Sequence, residues 1–234
     1  KIVVWLKEVA DNLKWFGDGS EIQKQRLKNY IDCLNSADEV ITGHPIEHHE
    51  YFEDKIQKQI QYVPVPLNVD YMYDNFYSNK KINGIFAYIP NPMHRRGRTY
   101  EFARYIGDKY NLPVFYKPLQ NGQKFDHINQ KDFIEMWSPY LYHFNLDPSE
   151  IQPGMQCRQV ASVGSINIGG VNESHRFLYP ETASIDEDKL EEIFVGYLND
   201  ENKRFKVIQY AWDKLNEIYS HRAFKKKIDR VVYG

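Results

Sequence analysis

Three arginines crowd into four positions, Arg95-Arg96-Gly97-Arg98, in a chain whose formal net charge is −2. They follow an apolar run, Ile82–Ile89, that has the composition of a buried strand. Arginine presents a planar fork that grips two phosphate oxygens at once. Gly97 allows a sharp turn into a following helix, whose first N–H groups favour an anion. Arg95 and Arg96 are therefore candidates for holding a phosphate group, with Arg98 on the helix surface. The alternative is a solvated basic loop. A second cluster, His44, His48, His49 and Glu50, invites a metal. His44 and His48 are four apart and can share a helix face, but HExxH is absent and no third ligand is evident, which favours a polar helix face.

Motifs of the common nucleotide and hydrolase chemistries are missing. No GxGxxG follows a strand, no GxxxxGK[ST] occurs, and there is no GxSxG. Cys33 and Cys157 match neither a zinc spacing nor a redox pair, and read as reduced thiols of a cytoplasmic protein. No apolar run approaches the roughly 18 residues of a membrane span. The chain opens on Lys1 within a strand-like run and reads as a piece of a longer protein.

The elements that must carry these residues alternate between strand and helix. Ile2–Leu6, Glu39–Thr42 and Ile60–Pro64 read as strands. Ser20 is placed to cap a helix through Leu34, and His44 to Lys55 reads as helical. Pro64, Pro66 and Asn68 interrupt regular structure and are read as a hinge. Beyond it, Ile82–Ile89, Leu112–Tyr116, Tyr140–Phe144 and Ile166–Ile168 read as strands. Arg98–Tyr110, Lys131–Trp137 and Met155–Val163 read as helices. Ser184 with Glu187 has capping-box spacing. Phe205, Ile208, Trp212, Leu215 and Tyr219 fall along one stripe of a later helix. Such alternation predicts a Rossmann-like doubly wound α/β fold with a parallel sheet, its ligands gathered outside the carboxyl ends of the strands.

Several segments, taken in order, resemble group 1, GT-B-fold glycosyltransferases. Ala37-Asp38-Glu39-Val40-Ile41-Thr42, then Val63-Pro64 and Asn68-Val69-Asp70, are similar to the family's "A-D-x-V-I" and "V-I-P-N-x-V-D". Arg96-Gly97 resembles its "K-G". Ile151-Gln-Pro-Gly154, continuing to Gln159-Val-Ala-Ser-Val-Gly164, resembles "E-G-F-G … E-A-M-A-x-G", and Gly169-Gly170 and Pro180 follow in order.

The resemblance implies three parts. Residues 1-64 are the end of an acceptor-side Rossmann-like lobe, residues 65-220 a nucleotide-sugar-binding domain, and residues 221-234 a helix packing back on the first lobe. In that helix Phe224, Ile228 and Val231 are the buried side and Lys225-Lys226-Lys227 the solvated face. The implied activity is transfer of a sugar from a UDP-, GDP- or ADP-linked donor to a hydroxyl acceptor, retaining, without an essential metal or other cofactor. Arg96 and Glu150 are the implied catalytic residues; Arg95, Arg96, Gly154, Met155 and Gln159 would bind the donor. Both glutamates of the family pattern are replaced, by Ile151 and Gln159. Glu150 stands one residue from the first of these. Gln159 either faces solvent or uses its amide, which both donates and accepts, on a ribose hydroxyl. A homologue that binds nucleotide but has weakened catalysis is the alternative function.

Overall fold

In a computed structural model of the chain, the described residues are 1–6, 20–44, 52, 55–87, 97–116, 130–148 and 154–234. They fall into two compact units, residues 1–66 with 221–234, and residues 67–148 with 154–220.

The first unit is a parallel sheet of order β1-β2-β3, with β1 at Val3–Leu6, β2 at Glu39–Thr42 and β3 at Ile60–Tyr62. Side chains alternate across the strands, so β1 and β2 feed two small cores. Val4, Leu6 and Val40 face Leu34 and neighbours on helix α1 (Glu21–Ser36), with Phe52 and Ile56. Val3, Trp5 and Ile41 face helix α9 (His221–Tyr233) through Phe224, Ile228 and Val231, with the Trp5 and Phe224 rings stacked at 6.3 Å. Ser20 caps α1, its side chain accepting from the Gln23 N–H. On the outer side of α9, Lys225 and Lys226 are exposed. Lys227, expected to be solvated as well, is half-buried, its ammonium 5.5 Å from the Tyr62 ring centroid.

The second unit is a four-stranded parallel sheet of order β5-β4-β6-β7, made of β4 (Ile82–Ala87), β5 (Val114–Tyr116), β6 (Tyr140–Phe144) and β7 (Ile166–Ile168). Its helices are α2 (Val69–Phe76), α3 (Gly97–Tyr110), α4 (Gln130–Trp137), α5 (Met155–Ser162), α6 (Glu173–Leu178), α7 (Glu187–Asn199) and α8 (Glu201–Ile218). Their apolar faces meet in one core around Ile85, Phe86, Tyr142, Phe144, Ile166 and Ile168. Both faces of the sheet are covered, as a parallel sheet requires.

The chain passes from the first unit to the second between Pro66 and Leu67, inside the expected hinge. Other expectations change. Asn68, expected to interrupt regular structure, starts α2: it accepts from the Tyr71 N–H, and Val69, Met72 and Phe76 are buried at helical spacing. Strand β3 stops at Tyr62, two residues short of Pro64. The cap of α7 is Asp186, accepting from the Lys189 N–H, rather than Ser184, whose hydroxyl accepts from the Asp186 N–H. Phe205, at the amino-terminal end of the stripe on α8, is 66% exposed, whereas Leu215 and Tyr219 are fully buried. The helix expected over His44 to Lys55 lies mostly outside the described residues.

His143, in the middle of β6, is fully buried, with its Nε2 3.2 Å from the Tyr140 carbonyl and its ring edge-on to Trp137 at 5.0 Å. Burial, reinforced by the nearby Lys81 charge, pushes the imidazole pKa down to about 3. The folded protein thus refuses a proton that the unfolded chain accepts below the usual 6.5. Stability falls as pH drops from 6.5 towards 3, since the unfolded state binds more protons there. Urea unfolding of His143→Phe is expected to lose less stability over that interval than wild type; parallel curves would contradict the assignment.

Candidate functional site

The carboxyl edge of the four-stranded sheet is assembled by three exits from regular structure. The chain leaves β6 through Asn145-Leu146-Asp147, all buried. Two bonds hold this turn: Asn145 N–H donates to the Ile168 carbonyl, continuing the sheet, and Leu146 N–H donates to Thr99 Oγ1 on α3, both at 2.9 Å.

The chain leaves β7 through Gly169 and Gly170, with φ of +93° and +89°. That region is open to glycine and costly for residues with a Cβ. A Cβ on Gly170 would also sit 2.4 Å from His175 Cε1. The turn is pinned from beneath. Gly169 N–H donates to the Thr182 carbonyl (3.1 Å), Thr182 Oγ1 to the Asn167 carbonyl (2.6 Å), and Asn167 Nδ2 to the Gly169 carbonyl (2.8 Å).

The third piece is the start of α5. Gly154 is its N-cap, left-handed at φ +61°, ψ 36°, and offers no side chain to the first-turn N–H groups. Such a helix start favours an anion. A Cβ there would lie 2.5 Å from Asn172 Oδ1 and 2.7 Å from Ser174 Cβ, so the close approach of α5 to the start of α6 requires glycine. Met155 is 37% exposed. Gln159, four residues on, shares its helix face. It is 8% exposed, so the solvent-facing position considered for it is not adopted.

Two polar residues of this edge were not singled out in the sequence. Asn145 Nδ2 donates to Gln156 Oε1 at 3.2 Å, joining the β6 exit to the first turn of α5. Asn145 Oδ1 and Gln156 Nε2 are both buried without a partner among the described residues. An unpaired buried acceptor beside an unpaired buried donor costs free energy unless something pairs with them. The only sequence signal was their place, directly after a strand and just past a glycine cap.

Arg158 was also missed. It is fully buried, donates from Nε to Ser174 Oγ at 2.9 Å and stacks 4.0 Å from the Tyr219 ring centroid. It ties α5 to α6 and α8. Burial raises the Cys157 thiol well above its usual range, so it stays protonated at neutral pH. Arg95, Arg96 and Glu150 lie outside the described residues. Arg98 is on the surface of α3, pairing with Glu187 at 2.7 Å. Among the described residues no group of three or more His, Cys, Asp or Glu could hold a metal ion, and no helix is long and apolar enough to cross a membrane.

Solved structures share this architecture. An alpha-glucosyltransferase in complex with UDP-glucose and DNA containing an abasic site superposes at a TM-score of 0.56 and 11% identity, over 98% of this chain and 72% of its own. HepE of Anabaena, in complex with UDP and glucose, gives 0.56 and 8%, over 98% and 70%. A glycosyltransferase from Rickettsia africae gives 0.54 and 10%, over 98% and 76%. No protein-family model and no curated protein matches the sequence. The chain has the GT-B glycosyltransferase fold.

Proposed function

We propose that the chain transfers a sugar from a nucleoside-diphosphate donor, with UDP the leading candidate, to a hydroxyl acceptor. The observation that carries this proposal is the amide pair Asn145–Gln156, whose Oδ1 and Nε2 atoms are buried and unsatisfied at the carboxyl edge of a sheet whose structural neighbours are described with UDP bound. The glycine turns at Gly154, Gly169 and Gly170 bring backbone close to the same edge, which supports contact with a flat, polar ligand.

In this scheme the bond from the sugar's anomeric carbon to the diphosphate oxygen breaks, and the acceptor oxygen bonds to that carbon and passes its proton to the departing diphosphate. Negative charge builds on the departing diphosphate. Arg96, with Arg95 beside it, stabilises that charge, assisted by the first N–H groups of α5 at Met155. Gln159 holds a ribose hydroxyl through its amide, Gly154 admits the donor to the backbone, and Glu150 is the carboxylate assigned to the sugar. Transfer is retaining and metal-independent in keeping with the family resemblance. Two free cysteines, Cys33 and Cys157, support a reducing, cytoplasmic setting.

Radiolabelled transfer from UDP-, GDP- and ADP-sugars, run with chelator present, tests the activity. Incorporation from one nucleotide class supports it; nucleotide binding without transfer from any donor would favour the weakened homologue. At Gln159, Gln159→Glu is expected to keep or tighten nucleotide binding. Gln159→Leu should weaken it by about 1–2 kcal/mol, the cost of leaving a polar partner unsatisfied. Equal affinities across wild type and both variants, by calorimetry, would remove Gln159 from the site.

A further inference from the structure

The opposite, amino-terminal edge of the same sheet carries a separate cavity of about 450 Å³, within the size range of small-molecule sites. Strand β4 spans six residues, so at about 3.3 Å per residue the two edges lie roughly 20 Å apart. Tyr77 and Asn79 contribute to the cavity from the connection between α2 and β4, Asn83 from the start of β4, and Glu201, Phe205 and Gln209 from α8.

The aromatic part of the wall is held in place. Tyr77 lies against Gly164, where a Cβ would meet its Cε2 at 2.5 Å. It stacks on Tyr73 at 4.5 Å, and Tyr73 leans on Trp212 at 4.9 Å. Across the cavity, Phe205 sits at the uncovered end of its helix stripe and exposes its ring.

The polar part carries charges of both signs, and its cations are already engaged with backbone carbonyls. Lys81 spends its ammonium on the Ser138 carbonyl at 2.6 Å, and Arg204 spends Nη1 on the Tyr197 and Leu198 carbonyls. Glu201 adds a negative charge at the same cavity. Among the described residues the Asn79, Asn83 and Glu201 side chains have no hydrogen-bond partner, and Gln209 commits only Nε2, to Asp213. Planar amides and a carboxylate offer paired donors and acceptors that match adjacent hydroxyls. Aromatic faces offer an apolar platform for the C–H face of a pyranose.

We propose that this cavity binds a neutral oligosaccharide, away from the donor edge. If the transfer activity proposed above holds, such a site would tether a glycan acceptor and raise its effective concentration at the donor edge. Binding of the saccharide itself does not depend on that activity.

The test is calorimetric titration of the full chain with maltohexaose, cellohexaose, mannohexaose and chitohexaose, each with and without saturating UDP. One of the four is expected to bind saturably, with the same affinity in both conditions. Phe205→Ala and Asn83→Ala should each weaken that binding about tenfold, the scale of one lost aromatic contact, leaving the melting temperature and UDP affinity unchanged. The proposal is overturned if none of the four binds wild type, or if the bound one is unaffected by both substitutions. Failure of UDP to bind would count against the donor site alone.

Discussion

Replacing Arg96 by alanine should lower sugar transfer about 10²-fold or more, the scale of losing one transition-state charge contact, while leaving the melting temperature nearly unchanged. The expectation rests on position and chemistry together. Arg96 directly precedes Gly97, the first residue of α3, and follows β4, an interior strand of the sheet bonded on one side to β5 and on the other to β6. Its side chain belongs to the connection where ligands of parallel α/β sheets collect. Lysine at this position keeps the charge but loses the fork, so Arg96→Lys should recover part of the rate. The loss should fall on kcat more than on donor affinity, because the diphosphate, already anionic, gains a further negative charge as the glycosidic bond breaks. Wild-type transfer and wild-type affinity for the nucleoside diphosphate in Arg96→Ala would show that the segment is only surface.

Gly154→Ala is expected to act through structure first. A left-handed residue with a Cβ costs about 1–2 kcal/mol, and forcing that Cβ against Asn172 and Ser174 adds about 1–3 kcal/mol of overpacking. The start of α5 would have to move, carrying Met155 and Gln156 with it, so transfer should fall along with stability. Gly196, inside α7, is the contrasting case. A Cβ there meets only the end of the Lys203 side chain, at 3.1 Å. Gly196→Ala should therefore stabilise by up to about 1 kcal/mol through helix propensity and leave transfer unchanged. Urea unfolding of the two variants compares them directly; equal effects would contradict the close packing assigned to Gly154.

Much of the fold was legible because the signals were local and strong. Short apolar runs at Glu39–Thr42, Tyr140–Phe144 and Ile166–Ile168 are bounded by turn residues, and each is a strand over those residues. Helix α2 was missed because the prolines just before it were read as ending regular structure, although Asn68 with Val69, Met72 and Phe76 carries a cap and a helical stripe. Phe205 was misplaced because periodicity gives a helix its face but not the point where its neighbours stop covering it.

The site was legible only in its backbone. Gly154 stood out because Ile151-Gln-Pro-Gly154 resembles a glycine-bearing segment of the family pattern. Asn145 and Gln156 did not, since two amides near a loop are ordinary until burial removes water from them. Arg158 was not singled out, since nothing in the sequence announces that Ser174 and Tyr219, 16 and 61 positions away, close around it.

Hydrogen–deuterium exchange of the chain, alone and with UDP, GDP or ADP, tests the donor edge most directly. One nucleotide should protect the backbone over residues 88–98, Gly154–Gln159 and Gly169–Asn172, and leave the amino-terminal edge around Asn79 and Asn83 unchanged. If no nucleotide alters exchange in those three segments, the carboxyl edge of this sheet is not a nucleoside-diphosphate site.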